Sequence, residues 1–281
     1  MDLKNKLDNL PSIYYVNLDN RIDRREYMEN QFNFWNIKDF KRISASKYLA
    51  SKFDDWKHLI SNKSNLDFSY KIANIANFIT HIEMIKDWLE QTDEKYFIMM
   101  EDDYDLSLIK HWNFDWNYLM NNIPYDWDCI QLGYESYDKI NFFLHPKERA
   151  TYFGPCMINR SYAEKLIRLY FDGSKYIIDN EKNDLLHVNN GVCNGDVDYS
   201  ICQNGKTYCI PLIPQNPHIK SFEDSVERDD WDHVHGTYDA YYRWWNDYHH
   251  KFPLKDFFMY EKENDMEMTL DTRKMELISY S

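Results

Sequence analysis

A run of five apolar residues, Tyr96 to Met100, leads directly into three consecutive carboxylates, Glu101, Asp102 and Asp103. A short apolar run without polar alternation is typical of a central strand that is buried on both faces of a sheet. Because both faces of such a sheet must be covered, this strand predicts an α/β fold with helices on either side. The three carboxylates are then expected at the carboxyl end of the strand, the edge where open α/β sheets bind ligands.

The segments around this strand alternate between strand and helix patterns. Further strands are expected at residues 12–18, 40–44, 128–133, 152–158 and 206–210. The clearest helical period is an apolar stripe from Ile72 to Leu89, and another helix is expected at 21–35. A third helix is expected to begin at a capping box formed by Ser161 and Glu164. Residues 47–69 show no clear period, and 172–190 are polar and predicted to be a loop. This alternation predicts an α/β sheet flanked by helices.

The chain of 281 residues carries 47 acidic and 33 basic side chains, a formal net charge of −14. Such an excess of negative charge opposes binding to a phosphate backbone, so nucleic acid is not an expected partner. An anionic ligand would require a divalent cation or well-placed basic side chains. The sequence contains neither a signal peptide pattern nor an apolar window long enough to span a membrane, so a cytoplasmic protein is expected.

The five cysteines form no CxxC pair, and their odd number leaves one thiol over in any full disulfide scheme. Reduced, mostly structural thiols are therefore expected. They are Cys129, Cys156, Cys193, Cys202 and Cys209.

Three adjacent carboxylates at the end of a buried strand are costly without a partner, because each ionised group loses hydration when it leaves water. A bound cation would remove that cost, and hard oxygen ligands suit Mg²⁺ or Mn²⁺. The alternative is a solvated acidic turn with no ligand. The preceding apolar strand favours the cation site.

Several short sequence blocks occur in the order found in one enzyme family. They are Tyr15-Val16-Asn17-Leu18-Asp19 with Arg21, Asp23, Arg24 and Arg25; Arg42 to Ser46; Thr80-His81; Phe97 to Asp103; Trp127 to Gly133; Gly154 to Ile158; and Val197-Asp198 with Pro211 and Gln215. In this order they resemble glycosyltransferase family 25, which includes bacterial lipooligosaccharide galactosyltransferases and procollagen hydroxylysine glycosyltransferases. The resemblance covers roughly residues 12–216, with Thr80 at a position where the family usually has serine.

The resemblance implies a GT-A type nucleotide-sugar-binding sheet flanked by helices. Residues 1–217 would form the catalytic domain, and 218–281 a mainly helical, aromatic-rich extension packed on it. The implied activity is metal-dependent transfer of galactose or glucose from a UDP-sugar to hydroxylysine or galactosyl-hydroxylysine of a collagen-like protein. The chain looks similar to giant-virus members of that branch, which would place it in the host cytoplasm.

Other functions stay open at this point. A lipooligosaccharide-type glycan is the alternative acceptor within the class. Outside it, the same features suit a non-catalytic carbohydrate-binding or interaction module on a glycosyltransferase scaffold, or a phosphohydrolase that uses the acidic cluster.

Candidate site residues follow from the matched motifs. The expected Mn²⁺ or Mg²⁺ ligands are Asp103, Glu101, Asp105 and His218. Contacts with the UDP-sugar are expected from Asn17, Arg21, Arg24, Thr80, His81, Glu101 and Asp102. Asp198, with Asp196 beside it, is the candidate base that takes the proton from the acceptor hydroxyl.

Each assignment has a structural alternative. His81 borders an apolar helical stripe and suits a structural role, Asp196 suits a helix cap, and His218 suits a surface loop. Arginines in a first helical turn are commonly solvent-exposed, and the pair His233 and His235 is expected to be exposed rather than metal-bound. The aromatic tail is expected first to cover one face of the sheet and second to form a homodimer interface, with sugar or peptide stacking as a further use.

Overall fold

A computed structural model of the chain describes residues 3–62, 72–147, 153–178, 201–219, 232–260 and 268–278. The strands are β1 (Ile13–Asn17), β2 (Phe40–Ser44), β3 (Ile60–Asn62), β4 (Tyr96–Met100), β5 (Cys129–Gln131), β6 (Lys139–Asn141), β7 (His145–Pro146), β8 (Cys156–Asn159), β9 (Tyr176–Ile178), β10 (Thr207–Cys209) and β11 (Thr269–Asp271). The helices are α1 (Ile22–Phe34), α2 (Phe53–Trp56), α3 (Ile72–Gln91), α4 (Trp116–Asn122), α5 (Arg160–Tyr170), α6 (Asp232–Arg243) and α7 (Leu254–Phe257), with several short 3-10 helices and one π-helical turn between them.

The central sheet has the strand order β2-β1-β4-β8-β5-β10-β7 in the described part of the chain. Five of its strands run in the same direction, whereas β8 and β7 are antiparallel to their neighbours. Because β8 separates β4 from β5 and is antiparallel to both, the carboxyl ends of β4 and β5 lie at the same edge. The fold is therefore a mixed α/β sheet, mostly parallel, flanked by helices.

The two faces of the sheet support separate cores, because successive side chains of a strand point to opposite faces. Ile98 and Met100 of β4 pack with helix α1 and the C-terminal aromatics, whereas Phe97 and Met99 pack beneath α3 and α5. The apolar stripe of α3 explains its position, since a helix of this pattern must bury one side against the sheet.

The C-terminal aromatics form part of the first of these cores. Trp244 and Trp245 are each 1% exposed, and Trp244 stacks on Phe142 at a ring distance of 4.7 Å. Strand β11 extends the contact by pairing with β6. The tail thus covers one face of the sheet, while its use as a dimer interface stays a prediction.

Close backbone contacts fix the loops at the carboxyl edge. A Cβ atom on Gly133 would lie 1.9 Å from the Ile213 carbonyl oxygen, and one on Gly154 would lie 1.8 Å from the Gly133 oxygen. Glycine is required at both positions because no larger residue fits between these backbones. Nearby, the backbone N–H of Asp105 donates to the oxygen of Pro214 at 2.9 Å. The segment after β10 is thereby held against the end of β4.

Several sequence predictions need correction. Helix α5 begins at Arg160, and its cap is Asn159, whose Oδ1 accepts from the Tyr162 N–H at 2.8 Å. The predicted capping box at Ser161 is therefore wrong, because Asn159 at the end of β8 already supplies the capping acceptor. Strand β9 lies inside the segment predicted to be a loop, where it pairs with β3. No helix in the described residues is long and apolar enough to cross a membrane.

Candidate active site

The acidic motif follows β4, and Asp102 is its most firmly held member. Arg24 Nη1 donates to Asp102 Oδ1 at 2.6 Å, and Asn17 Nδ2 donates to Oδ2 at 2.7 Å. Both donors come from the first strand-helix unit, since Asn17 ends β1 and Arg24 lies in the first turns of α1. Three predicted site residues therefore meet in one buried contact, and Asp102 anchors the motif to β1 and α1.

Asp103 is only partly satisfied. Its Oδ2 accepts from Gln215 Nε2 at 3.0 Å and from Arg24 Nη1 at 3.3 Å, whereas Oδ1 is buried and has no hydrogen-bond partner. Burial raises the pKa of Asp103 to about 7. The charge of Arg24 lowers this pKa by less than burial raises it, and the charge of Glu101 adds to the rise. A buried carboxylate oxygen without a donor is costly, so this atom is suited to a proton or a cation.

Glu101 is half-buried beside these groups. Asn77 Nδ2, on α3, donates to its Oε1 at 2.8 Å. Burial raises the pKa of Glu101, the Asn77 hydrogen bond opposes that rise, and the charges of Asp102 and Glu135 add to it. Helix α3 therefore supplies a neutral donor to this carboxyl group rather than a counter-charge.

Glu135 is a fourth acidic group at this edge, and the sequence analysis did not select it. It is 9% exposed and lies in the loop after β5, close enough to raise the pKa of Glu101 through its charge. A sequence signal was present, because Glu135 closely follows the glycine that ends a predicted strand. Four carboxyl groups thus cluster at this edge, and the guanidinium of Arg24 reaches two of them.

Asp105 differs from these four groups, although it was also predicted as a metal ligand. Its Oδ2 accepts from the hydroxyls of Tyr238 at 2.8 Å and Tyr242 at 2.7 Å, and its Oδ1 accepts from the Ser107 N–H at 2.7 Å. Both tyrosines belong to α6. The contacts favour a structural role, in which Asp105 ties the C-terminal helix to the acidic edge.

Thr80 and His81 are buried below the site. Thr80 Oγ1 donates to the Ala76 carbonyl at 2.8 Å within α3, so its hydroxyl is used inside the helix. His81 Nδ1 lies 2.9 Å from the Asn77 carbonyl oxygen, and its Nε2 is buried without a hydrogen-bond partner. Burial lowers the pKa of His81 to about 4, so the ring is neutral near pH 7. Neither side chain reaches the surface, and their contact with a donor stays a prediction.

The remaining predicted residues lie around the edge. Arg21 donates to both carboxylate oxygens of Asp23, at 2.9 and 2.8 Å. His218 is exposed, with its ring 5.6 Å from that of His235 and 5.7 Å from that of Tyr238. Asp196 and Asp198 lie outside the described residues, as does the side chain of His233.

Comparisons with known proteins add little to this geometry. No protein-family model matches the sequence, and no curated protein matches it significantly. Among solved structures, one titled "Crystal Structure of A197 from STIV" aligns with 73% of this chain and 84% of that chain, at 12% sequence identity and a TM-score of 0.36. A likeness this weak carries no argument about function.

Proposed function

We propose that the chain is a metal-dependent glycosyltransferase of GT-A type, which moves galactose or glucose from a UDP-sugar to a hydroxyl acceptor. The motif order that resembles glycosyltransferase family 25 supports the reaction class. The observation that carries the site is the buried Oδ1 of Asp103, which has no partner in the described part of the chain and lies at the edge where open α/β sheets bind ligands.

The side chains present suit a divalent cation. Asp103 and Glu101 provide hard carboxylate oxygens, which are the ligands that Mn²⁺ and Mg²⁺ prefer. Among the described residues, four carboxyl groups lie at this edge and Arg24 forms ion pairs with only two of them, so a dication would offset negative charge there. We assign Asp103 and Glu101 as ligands, with His218 on the neighbouring segment as a further candidate. When bound, such an ion stabilises the negative charge that develops on the departing UDP.

The protein groups have separate roles in this proposal. Asn17 and Arg24 fix Asp102 and thereby the backbone of the motif, so that Asp103 keeps its orientation. We assign Arg21 to the nucleotide diphosphate, for which it would exchange its Asp23 partner. In the transfer, the bond between the acceptor oxygen and the anomeric carbon forms while the bond to UDP breaks. Asp198, with Asp196 as the neighbouring candidate, accepts the acceptor proton.

The acceptor is proposed from the resemblance alone. Hydroxylysine or galactosyl-hydroxylysine of a collagen-like protein is the first candidate, and a lipooligosaccharide-type glycan is the alternative. Both present a hydroxyl group, so the acidic edge described above suits either one.

A donor and acceptor screen tests the proposal. UDP-galactose and UDP-glucose are incubated with hydroxylysine peptides, galactosyl-hydroxylysine peptides or lipooligosaccharide glycans, in Mn²⁺, Mg²⁺ or EDTA. We expect UDP release and a hexose mass gain only with the divalent ion. Asp103→Asn should reduce the activity by about 100- to 1,000-fold. Asp126→Asn is the matched control, because it makes the same chemical change near the start of β5, at the opposite edge of the sheet.

Other outcomes identify the alternatives. Release of phosphate from simple esters in the same metals would instead indicate a phosphohydrolase. Glycan binding without any metal-dependent turnover would indicate a carbohydrate-binding module. Failure of both donors on every acceptor, with the protein folded, would overturn the proposal.

A further inference from the structure

Three cysteine side chains meet in the core on the α3 and α5 face of the sheet. Cys129 is on β5, Cys156 is on β8, and Cys202 lies in the segment that leads to β10. Their sulfur atoms all lie within 4.8 Å of one another, and each residue is at most 1% exposed. All three are thiols, and Cys129 is in hydrogen-bond contact with the other two. Residues far apart in the sequence thus converge on one point.

The segment that carries Cys202 is held in place by several side chains. The hydroxyl of Tyr162, on α5, donates to the carbonyl of Ile201, and Thr207 Oγ1 donates to the carbonyl of Cys202 at 2.5 Å. Lys165 Nζ donates to the carbonyl of Asn204 at 2.5 Å. The third sulfur is therefore positioned by contacts outside the cluster, as expected for a pre-arranged ligand.

Close packing reinforces this position. A Cβ atom on Gly205 would lie 2.6 Å from the Tyr162 ring and 2.7 Å from Asp128 Cβ. The segment therefore passes too close to α5 and to the start of β5 for a larger residue. Movement of Cys202 away from the other two sulfurs would require these contacts to break.

The sulfur spacing is close to that of ligands around one ion. At a metal–thiolate distance of about 2.3 Å, three sulfurs in a trigonal plane lie about 4 Å apart. Because the observed separations do not exceed 4.8 Å, each sulfur would need to move by less than about 1 Å to close around an ion. Side-chain rotation at this scale is compatible with an otherwise unchanged core.

We propose that Cys129, Cys156 and Cys202 bind one soft, thiophilic metal ion. Thiolate ligands select Cu(I) and Zn²⁺ over hard ions such as Mg²⁺ or Mn²⁺. Structural Zn²⁺ takes four ligands, and no fourth histidine, cysteine or carboxylate joins this group in the described residues. Cu(I), which is stable with three thiolates, is therefore the expected ion. The inference does not rest on the proposed glycosyltransferase activity.

Metal binding must displace thiol protons. All three residues are thiols in the metal-free chain. Neutral thiols pack in an apolar core without the cost of buried charge, which explains how the chain folds before it binds metal. The bound ion would link β5, β8 and the segment before β10, and so stabilise the folded state.

The test uses the purified full-length chain, reduced and free of oxygen. It is titrated with Cu(I) against a chromogenic Cu(I) chelator, and in a separate arm with Zn²⁺ against a zinc-binding dye. We expect one tightly held equivalent of Cu(I), a sulfur-only coordination shell by X-ray absorption, and a higher melting temperature. The Zn²⁺ arm should show weaker retention. Stronger retention of Zn²⁺ than of Cu(I) would contradict the choice of Cu(I).

Serine variants locate the site. Cys156→Ser and Cys202→Ser should each lower the metal affinity by at least about 100-fold. Cys209→Ser is the matched control, because Cys209 is equally buried but is not one of the three clustered thiols, and its Sγ instead donates to Gln131 Oε1 at 3.3 Å. Circular dichroism checks that each variant is folded, and X-ray absorption of the unmodified chain gives a result that no misfolded variant can obscure.

Two results would overturn this inference. One is that the unmodified chain retains neither ion against the competing chelators. The other is that folded Cys156→Ser and Cys202→Ser bind as tightly as Cys209→Ser. UDP-hexose turnover with Mn²⁺ is measured separately, so failure of the thiol site and failure of the proposed transferase activity are distinguishable.

Discussion

Asp103 and Asp105 are two residues apart and similarly buried, but they differ in how completely their carboxylate oxygens are hydrogen-bonded. Asp105 accepts three hydrogen bonds, two of them from tyrosines of α6. Asp103 shares Arg24 with its neighbour, and its Oδ1 has no hydrogen-bond donor among the described residues. An aspartate side chain is thus hydrogen-bonded on both oxygens at position 105 and on only one oxygen at position 103.

The difference separates structural acidic residues from ligand-binding ones. A carboxylate that is satisfied on both oxygens gains little from a cation, whereas a buried oxygen without a donor keeps its desolvation cost until something binds. A run of acidic residues at a strand end therefore does not identify metal ligands by itself. Metal ligands are identified by the hydrogen-bond donors around each carboxylate oxygen. Four predictions test this distinction.

The largest effect is expected for Arg24→Met. Removal of the guanidinium leaves Asp102 and Asp103 buried without their counter-charge, so the free energy of unfolding should fall by about 3–5 kcal/mol. Urea unfolding in EDTA at neutral pH measures the loss. Arg168→Met is the control, because Arg168 pairs with the exposed Glu164 on α5 and should contribute less than about 1 kcal/mol. Equal losses in the two variants would show that the acidic edge needs no counter-charge.

Asp103→Asn should mainly affect catalysis. Loss of a charged ligand should reduce kcat for UDP release by about 100- to 1,000-fold, which is about 2.7–4 kcal/mol of transition-state stabilisation. The melting temperature in EDTA should be unchanged or higher, because a buried charge has been removed. Steady-state kinetics and thermal melts are compared with those of Asp126→Asn. Full activity in Asp103→Asn would contradict the assignment of Asp103 as a metal ligand.

Asp105→Asn should show the reverse pattern. The neutral amide weakens the contacts with Tyr238 and Tyr242, so stability should fall by about 1.5–3 kcal/mol while kcat per folded molecule is retained. The loss should be less than additive with that of Tyr238→Phe, because the two residues share one hydrogen bond. Urea unfolding of both single variants and the double variant measures this coupling. A catalytic loss as large as that of Asp103→Asn would make Asp105 a ligand after all.

The sequence predicted the elements with the strongest local patterns. Strand β4 occupies the predicted residues, and α3 begins at the predicted Ile72 and ends at Gln91. An apolar run and a long apolar stripe are each explained by burial of that segment alone. The antiparallel direction of β8 and the pairing of β11 with β6 could not be predicted in this way. Those features depend on partners distant in the chain, which no local period records.

The candidate site shows the same limit. Motif order placed Asn17, Arg24 and Asp102 in one site, and the structure brings these three side chains into hydrogen-bond contact. The contrast between Asp103 and Asp105 depends on tyrosines more than 130 residues later in the chain. Local sequence around the acidic motif contains no information about those donors.

The smallest predicted effect is a pH dependence from His81. Its folded pKa of about 4 lies below the ordinary value of 6.5, so the unfolded chain binds more protons between these values. Stability from this group is therefore present above pH 6.5 and is lost as the pH falls towards 4, by no more than about 1.4 kcal/mol per pH unit. His81→Phe should remove this slope when urea unfolding is measured between about pH 5.5 and 6.5.

Asp103 contributes a dependence of stability on pH with the opposite sign, and the His81 experiment must separate the two. Its folded pKa of about 7 exceeds the ordinary 3.8, so its contribution to stability falls as the pH rises between those values. The His81 measurement is therefore made in the Asp103→Asn background, with Asp103→Asn alone as the reference so that the similar contribution of Glu101 cancels. The exposed His250 provides the control variant His250→Phe. A slope that persists in His81→Phe, or that disappears in His250→Phe, would show that the buried imidazole is not the titrating group.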